Sequence, residues 1–182
     1  DSGVEEKSIG RYYQILDDTL LGFHLPPYHH SIRKRQSQKA KFYFFDCGVT
    51  RALQNSVTLP LTPQTTSYGD LFEQLVILEF IRLNDYFEKR FKFSYLKTKD
   101  NLEIDLIIER PGKATVLIEI KSSDKINSDD ARPIRQISSE FKKCELFVLS
   151  NIKKGAIIDG VQFMNWQQGI LDIMKISSEE KE

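Results

Sequence analysis

Between Glu103 and Lys121 the chain reads E-I-D-L-I-I-E-R-P-G-K-A-T-V-L-I-E-I-K, two alternating runs around a Pro-Gly turn. In the first run Ile104, Leu106 and Ile108 share one parity, and Glu103, Asp105, Ile107 and Glu109 the other. In the second, Val116, Ile118 and Ile120 oppose Thr115, Leu117, Glu119 and Lys121. A turn of about three residues with Gly112 at positive φ makes this a hairpin. Pairing Arg110 with Ala114 then sets Asp105 opposite Glu119 and Glu103 opposite Lys121. Residues directly opposite have Cβ atoms about 4.5–5.5 Å apart, and Lys121 lies roughly 7 Å along the strand from Glu119. Two carboxylates on one face suit Mg²⁺ or Mn²⁺, because Mg²⁺ is commonly held by one or two carboxylates together with water and phosphate. Lys121 can then stabilise charge on a phosphate or help activate water. The bland alternative is a hairpin with a charged, solvated face. A two-residue turn would put the two acids on opposite faces.

Several other segments have to bring these groups together. Gly69 to Phe87 is the most apolar helical stretch, and at 100° per residue Glu73 falls among Val76, Ile77 and Phe80. An acid there needs a partner, which metal coordination or Lys121 would supply. Alternatively Glu73 is an acid of the helix's first turn, close to water. Phe91 to Leu96 reads as the strand leading into the hairpin. After the hairpin comes a polar loop from Ser122 to Asp130, then a helix from about Asp130 to Lys142 carrying Arg135 and Gln136. Leu146 to Ser150 is an interior strand. A short strand near Ala156–Ile158 precedes a closing helix over 161–176.

Upstream, Ser2 to Leu21 is helical by spacing, and Pro26-Pro27 breaks the next segment. His24, His29 and His30 lie nearby, but no acid or cysteine stands at ligand spacing. Arg33, Lys34 and Arg35, with Lys39 and Lys41 behind them, form either a phosphate-backbone patch or a solvated basic loop. Lys41 to Asp46 is strand-prone, and Val49 to Leu53 a short helix.

The bulk composition sets limits. The 182 residues include 40% hydrophobic residues and twelve Phe, enough for one packed domain with a small appendage. Formal net charge is zero, which argues against strong autonomous binding to nucleic acid. Two cysteines without ligand spacing suit a reducing compartment, so the expected location is cytoplasmic. No apolar run is long enough for a membrane span, and no Walker A loop is present.

The order acidic helix, strand, acidic strand, E-x-K strand, helix, strand resembles the core of the PD-(D/E)XK nuclease superfamily. The segments K-F-Y-F-F-D-C-G, G-D-L-F-E-Q-L-V, L-E-I-D-L-I-I-E and I-E-I-K-S-S are similar to a C-terminal domain of unknown function found in bacterial and archaeal AAA+ ATPases. That similarity covers roughly residues 40–175. It implies an α/β fold with a mixed central sheet flanked by helices. It further implies that Glu73 is the helix acid, Asp105 the metal-binding aspartate, Glu119 the second acid and Lys121 the motif lysine. Asp105 stands in I-D where many members have P-D. Arg135 or Gln136 falls where members keep a polar residue on the following helix. The opening Y-Y-Q-I-L-D-D-T-L-L-G-F-H-L-P-P-Y looks like the end of the winged-helix linker of that family. The implied division is a linker remnant over 1–38 packed as an appendage, a nuclease-like domain over 39–177 and a charged tail over 178–182.

Two functions are compatible with the resemblance. One is Mg²⁺- or Mn²⁺-dependent hydrolysis of DNA, with an ATPase module preceding this chain and oligomerisation through that module. The other is a catalytically silent module that contacts protein or DNA.

Overall fold

The computed structural model describes residues 6–28, 39–99 and 102–176. Helix α1 (Glu6–Asp18) leads into β1 (Gly22–Leu25), which pairs antiparallel with β2 (Lys41–Phe44) as a two-stranded ribbon. Helix α2 (Cys47–Leu53) is capped by Asp46, whose carboxylate accepts the Gly48 and Val49 N–H groups. Thr65 caps α3 (Thr66–Tyr86), the longest helix among the described residues. Its buried stripe is Phe72, Val76, Ile77 and Phe80.

After α3 come β3 (Lys92–Lys97), β4 (Glu103–Glu109) and β5 (Thr115–Lys121). A 3-10 turn over Ser128–Ala131 runs into α4 (Arg132–Ser138), which is shorter than the expected helix to Lys142. The chain closes with β6 (Cys144–Ser150), β7 (Ala156–Ile158), β8 (Val161–Asn165) and α5 (Trp166–Met174). The six-stranded sheet has the order β3-β4-β5-β6-β8-β7. It is mixed, parallel at β5–β6 and β6–β8 and antiparallel elsewhere. Helices α3 and α5 cover one face through Val76, Ile77, Phe80, Ile170 and Ile173, packed on Leu106, Ile118 and Leu149. Helix α4 covers the other through Ile134 and Ile137, packed on Ile107, Leu117 and Val148.

Besides the shorter α4, three expectations change. The closing helix over 161–176 begins as strand β8, because Val161 and Phe163 alternate into the core and Asn165 caps only the helix after it. Alternation in β4 does not place Ile104 with Leu106 and Ile108. The β3 register passes from Ser94↔Ile107 to Leu96↔Ile104, so β4 carries one extra residue, and Ile104 joins Ile107 on the α4 face. The division at residue 38 falls between two paired strands. Leu25 is 1% exposed within the α3-side core. Tyr28 N–H donates to the Tyr95 carbonyl, and Tyr95 N–H to the Pro26 carbonyl. Residues 22–28 are therefore part of the packed body. No helix among the described residues is long and apolar enough to cross a membrane.

Candidate functional site

The hairpin turn has the expected form. Gly112 adopts φ +69°, and Lys113 N–H donates to the Arg110 carbonyl at 3.1 Å. The buried Arg110 guanidinium donates to the Ala114 carbonyl and to Glu145, at 2.9 and 2.6 Å. The β4–β5 ladder runs from Ile108↔Val116 to Leu106↔Ile118, the register that places Asp105 beside Glu119. There a side chain takes over from the backbone: Ile120 N–H donates to Asp105 Oδ2 at 2.8 Å. The bulge in β4 sits at this point and breaks strict alternation around Asp105, which lines one cleft with Glu73 of α3.

The result is a cleft of about 640 Å³ lined by Lys41, Tyr43, Asp70, Glu73, Glu103, Asp105, Glu119 and Lys121, with Phe42. Glu73, Asp105, Glu119 and Lys121, four residues singled out from the sequence, line this one cleft. Asp105 is 8% exposed and Glu119 5%. Glu119 Oε1 accepts from Lys121 Nζ at 2.7 Å, while Glu119 Oε2 is buried without a hydrogen-bond partner. Such an atom is costly to bury.

The partner of Glu73 is not Lys121. Tyr43 Oη donates to Glu73 Oε1 at 2.6 Å, and Lys41 Nζ lies 3.1 Å from the same oxygen. Both residues come from β2. Glu73 is the eighth residue of α3, beyond the first turn. Glu103 does not pair with Lys121 either: the β4–β5 ladder ends at Leu106↔Ile118, and on its other side Glu103 faces Lys97 of β3. Its carboxylate sits 2.7 Å from both Lys41 Nζ and Lys97 Nζ. The sequence did not single out Tyr43, and it offered Lys41 only as part of the basic stretch behind Arg33, Lys34 and Arg35, not as a residue of this cleft. The signal available was K-F-Y-F itself, in which Lys41 and Tyr43 share strand parity.

Electrostatics reflect this crowding. Burial, then Glu119 and Glu73, push the Asp105 carboxyl well above the usual aspartate range, against the Ile120 N–H and Lys41. Burial also raises Glu119, with Glu73 and Asp130 adding to it, and Lys121 only partly offsets them. Burial alone would lower Lys121, but Glu119, Asp105 and Asp130 outweigh it and hold its ammonium above the ordinary lysine value. Lys41 is raised in the same way, burial being outweighed by Glu73, Glu103 and Asp105. Burial and Glu73 push the Tyr43 hydroxyl up, which keeps it a donor. Both lysines therefore act at neutral pH as cations.

The donor set suits a hard divalent cation. It is all carboxylate oxygen, it carries the unpartnered Glu119 Oε2, and burial together with neighbouring acids raises both Asp105 and Glu119. Among the described residues no three His, Cys, Asp or Glu side chains stand close enough together to hold a metal ion unaided. Two carboxylates, with water and substrate phosphate completing the shell, are the usual provision for Mg²⁺.

Arg135 and Gln136 are not part of this cleft. They line a separate hollow with Ser128, Asp129, Arg132 and Asp159, where Arg135 pairs with Asp159 at 2.7 Å. Arg33, Lys34 and Arg35 lie outside the described residues.

Residues 68–168 match the family described as "Domain of unknown function (DUF4143)", and residues 1–65 match "Domain of unknown function (DUF8612)". The resemblance expected over 40–175 is thus divided between two families. The cleft draws on both, with Lys41 and Tyr43 from the first 65 residues and its other polar side chains from the later match. No curated protein matches the sequence. Among solved structures the chain is similar to one in the refined half-complex from a tetradecameric assembly of Thermococcus gammatolerans McrB AAA+ hexamers with bound McrC. The identity is 13% and the TM-score 0.40, over 53% of this chain and 27% of that chain. This chain therefore aligns with about a quarter of its structural neighbour's length. Since the matched segment spans more than half of its 182 residues, the chain belongs to the DUF4143 family of domains of unknown function.

Proposed function

We propose that the cleft is the active site of a PD-(D/E)XK-type phosphodiester hydrolase that acts on DNA with Mg²⁺ or Mn²⁺. The observation that supports it is the placement of Asp105, Glu119 and Lys121 on one cleft, with Glu119 Oε2 buried and unpartnered. Asp105 and Glu119 are the residues that would hold the ion, and Glu73 supports their side of the cleft. A divalent ion there would supply Lewis-acid polarisation of the phosphoryl group. The chain's own residues do the rest. Ile120 N–H fixes the Asp105 carboxylate. Tyr43 and Lys41 fix Glu73. Lys121, kept protonated by its acidic neighbours, stabilises negative charge developing on the phosphate rather than removing a proton from water. Coupling to an AAA+ ATPase module, and any oligomer built through it, rests on the sequence resemblance of the four segments that begin at Lys41, Gly69, Leu102 and Ile118.

The test is the purified chain with and without Mg²⁺ or Mn²⁺ on duplex, branched and single-stranded DNA. Wild type is expected to cleave slowly, because zero net charge gives little non-specific affinity. Asp105→Asn should lower cleavage by orders of magnitude, and Lys121→Ala should suppress turnover while sparing metal binding. Wild type and Asp105→Asn equally inert on all three substrates, even when joined to the ATPase module, would establish a catalytically silent module instead.

A further inference from the structure

The ribbon formed by β1 and β2 contributes more than packing. Lys41 Nζ sits between two carboxylates from different elements, 3.1 Å from Glu73 Oε1 on α3 and 2.7 Å from Glu103 Oε1 on β4. It also lies 5.2 Å from the centre of the Tyr95 ring on β3. Its side chain is three-quarters buried, so the ammonium has exchanged most of its water for these partners. On the same strand Tyr43 holds Glu73 Oε1 at 2.6 Å. The cleft is lined by five acids, Asp70, Glu73, Glu103, Asp105 and Glu119, against two lysines. Lys41 serves the group from the β2 side, and Lys121 serves Glu119 from the β5 side. Glu119 Oε2 has neither lysine, remaining buried without a partner.

From this we infer that Lys41 is the resident counter-cation of the cleft and competes with a divalent ion for the same carboxylate field. The inference rests on the reading of Asp105 and Glu119 as the cation-binding pair and deepens it. Like charges close together in a half-buried site repel strongly. A divalent ion entering beside Asp105 must do so against the fixed charge of Lys41, unless that ammonium swings away from Glu73 and Glu103. Lys41 thus sets the concentration at which the cleft fills. It also keeps the acids from repelling one another apart while no ion is bound. Substrate phosphate offers an alternative partner to the displaced ammonium, which ties filling of the site to arrival of the nucleic acid. Lys41 is a positioning residue here, since it acts through Glu73 and Glu103.

The experiment is a titration of the 182-residue chain with MnCl₂ and MgCl₂, read by calorimetry and by the shift of the thermal midpoint. Wild type, Lys41→Met, Lys41→Arg and Asp105→Asn are compared. Lys41→Met keeps the length and apolar stem of the side chain but loses the charge. It should lower the midpoint without metal, bind Mn²⁺ on the order of tenfold more tightly, and gain a larger metal-induced shift. Lys41→Arg keeps the charge and should leave the affinity near that of wild type. A metal response that Asp105→Asn abolishes but Lys41→Met leaves unchanged or weaker would overturn the role of Lys41 while leaving the cation-binding pair intact. No metal response in wild type or Lys41→Met would overturn both. Should Lys41→Met fail to fold, Lys41→Gln carries the same expectation with a polar head, and equal affinities of Lys41→Gln and wild type would overturn the inference.

Discussion

At residue scale, Asp105 does two things that pull against each other. Its carboxylate is buried beside Glu119 and Glu73, with the Ile120 N–H, Lys41 and Lys121 as compensation. The folded protein holds a proton on Asp105 to higher pH than the unfolded chain does. The folded state therefore binds more protons across that interval and loses stability as pH rises through it. The interval opens at the ordinary aspartate value and extends up to the raised folded one. Without metal, the thermal midpoint of wild type should fall relative to that of Asp105→Asn as pH rises above the ordinary aspartate value of about 4. The asparagine keeps an acceptor for Ile120 N–H and removes the charge, so at neutral pH this variant should be the more stable protein. Added Mg²⁺ should narrow the gap by stabilising wild type alone. Parallel midpoint curves for the two proteins, with and without Mg²⁺, would show that Asp105 carries no such burden.

At element scale, the position of β2 depends on Gly22. A Cβ there would meet the Phe42 ring and lie 2.6 Å from the Tyr43 carbonyl oxygen. The backbone contact cannot be relieved by a rotamer change, so Gly22→Ala must push β2 away from β1 and carry Lys41 and Tyr43 with it. At Gly169 the added atom meets first the end of the Leu149 side chain, which can move. Both changes should cost roughly 1–3 kcal/mol by overpacking, read as a lower denaturation midpoint in urea. Gly22→Ala should also alter the metal titration, and Gly169→Ala should not. Identical titrations would mean that the ribbon's position does not matter to the cleft.

The hairpin was legible in the sequence because parity and a Gly turn fix its register, and with it the meeting of Asp105 and Glu119. The bulge was not legible, because one extra residue leaves an alternating pattern intact and shows only in which core Ile104 joins. Strand β8 was hidden because V-Q-F-M-N runs directly into its own helix cap at Asn165. The roles of Lys41 and Tyr43 were hidden because their partner Glu73 is about thirty residues away, and nothing local announces a contact at that separation.

At the scale of the whole molecule, neither family boundary nor sequence boundary coincides with a seam in the packing. The matched segments meet between residues 65 and 68, and the expected linker ended at 38. The structure places Leu25 in the main core, Tyr28 in the α4-side core, and their backbone beside Tyr95. Burying Leu25 contributes about 1.5–3 kcal/mol, and each lost hydrogen bond to β2 or Tyr95 costs about 1 kcal/mol. A chain shortened to residues 39–182 should therefore lose on the order of 5 kcal/mol, comparable to the total stability of a small domain. It should show no cooperative thermal transition. Helix α1 is attached more lightly, with Ile9, Tyr12, Tyr13 and Ile15 all well exposed. Its ties to the ribbon include ring contacts of Tyr13 with Phe42 at 4.8 Å and with His24 at 5.9 Å, and the Asp17–His24 pair. Removing residues 1–18 should lower the midpoint only modestly, keep the transition cooperative and leave the metal titration unchanged. A cooperative 39–182 fragment with the midpoint of the full chain would mean that the ribbon strand β1 is dispensable. The cleft would then have to keep Lys41 in place through β2 alone.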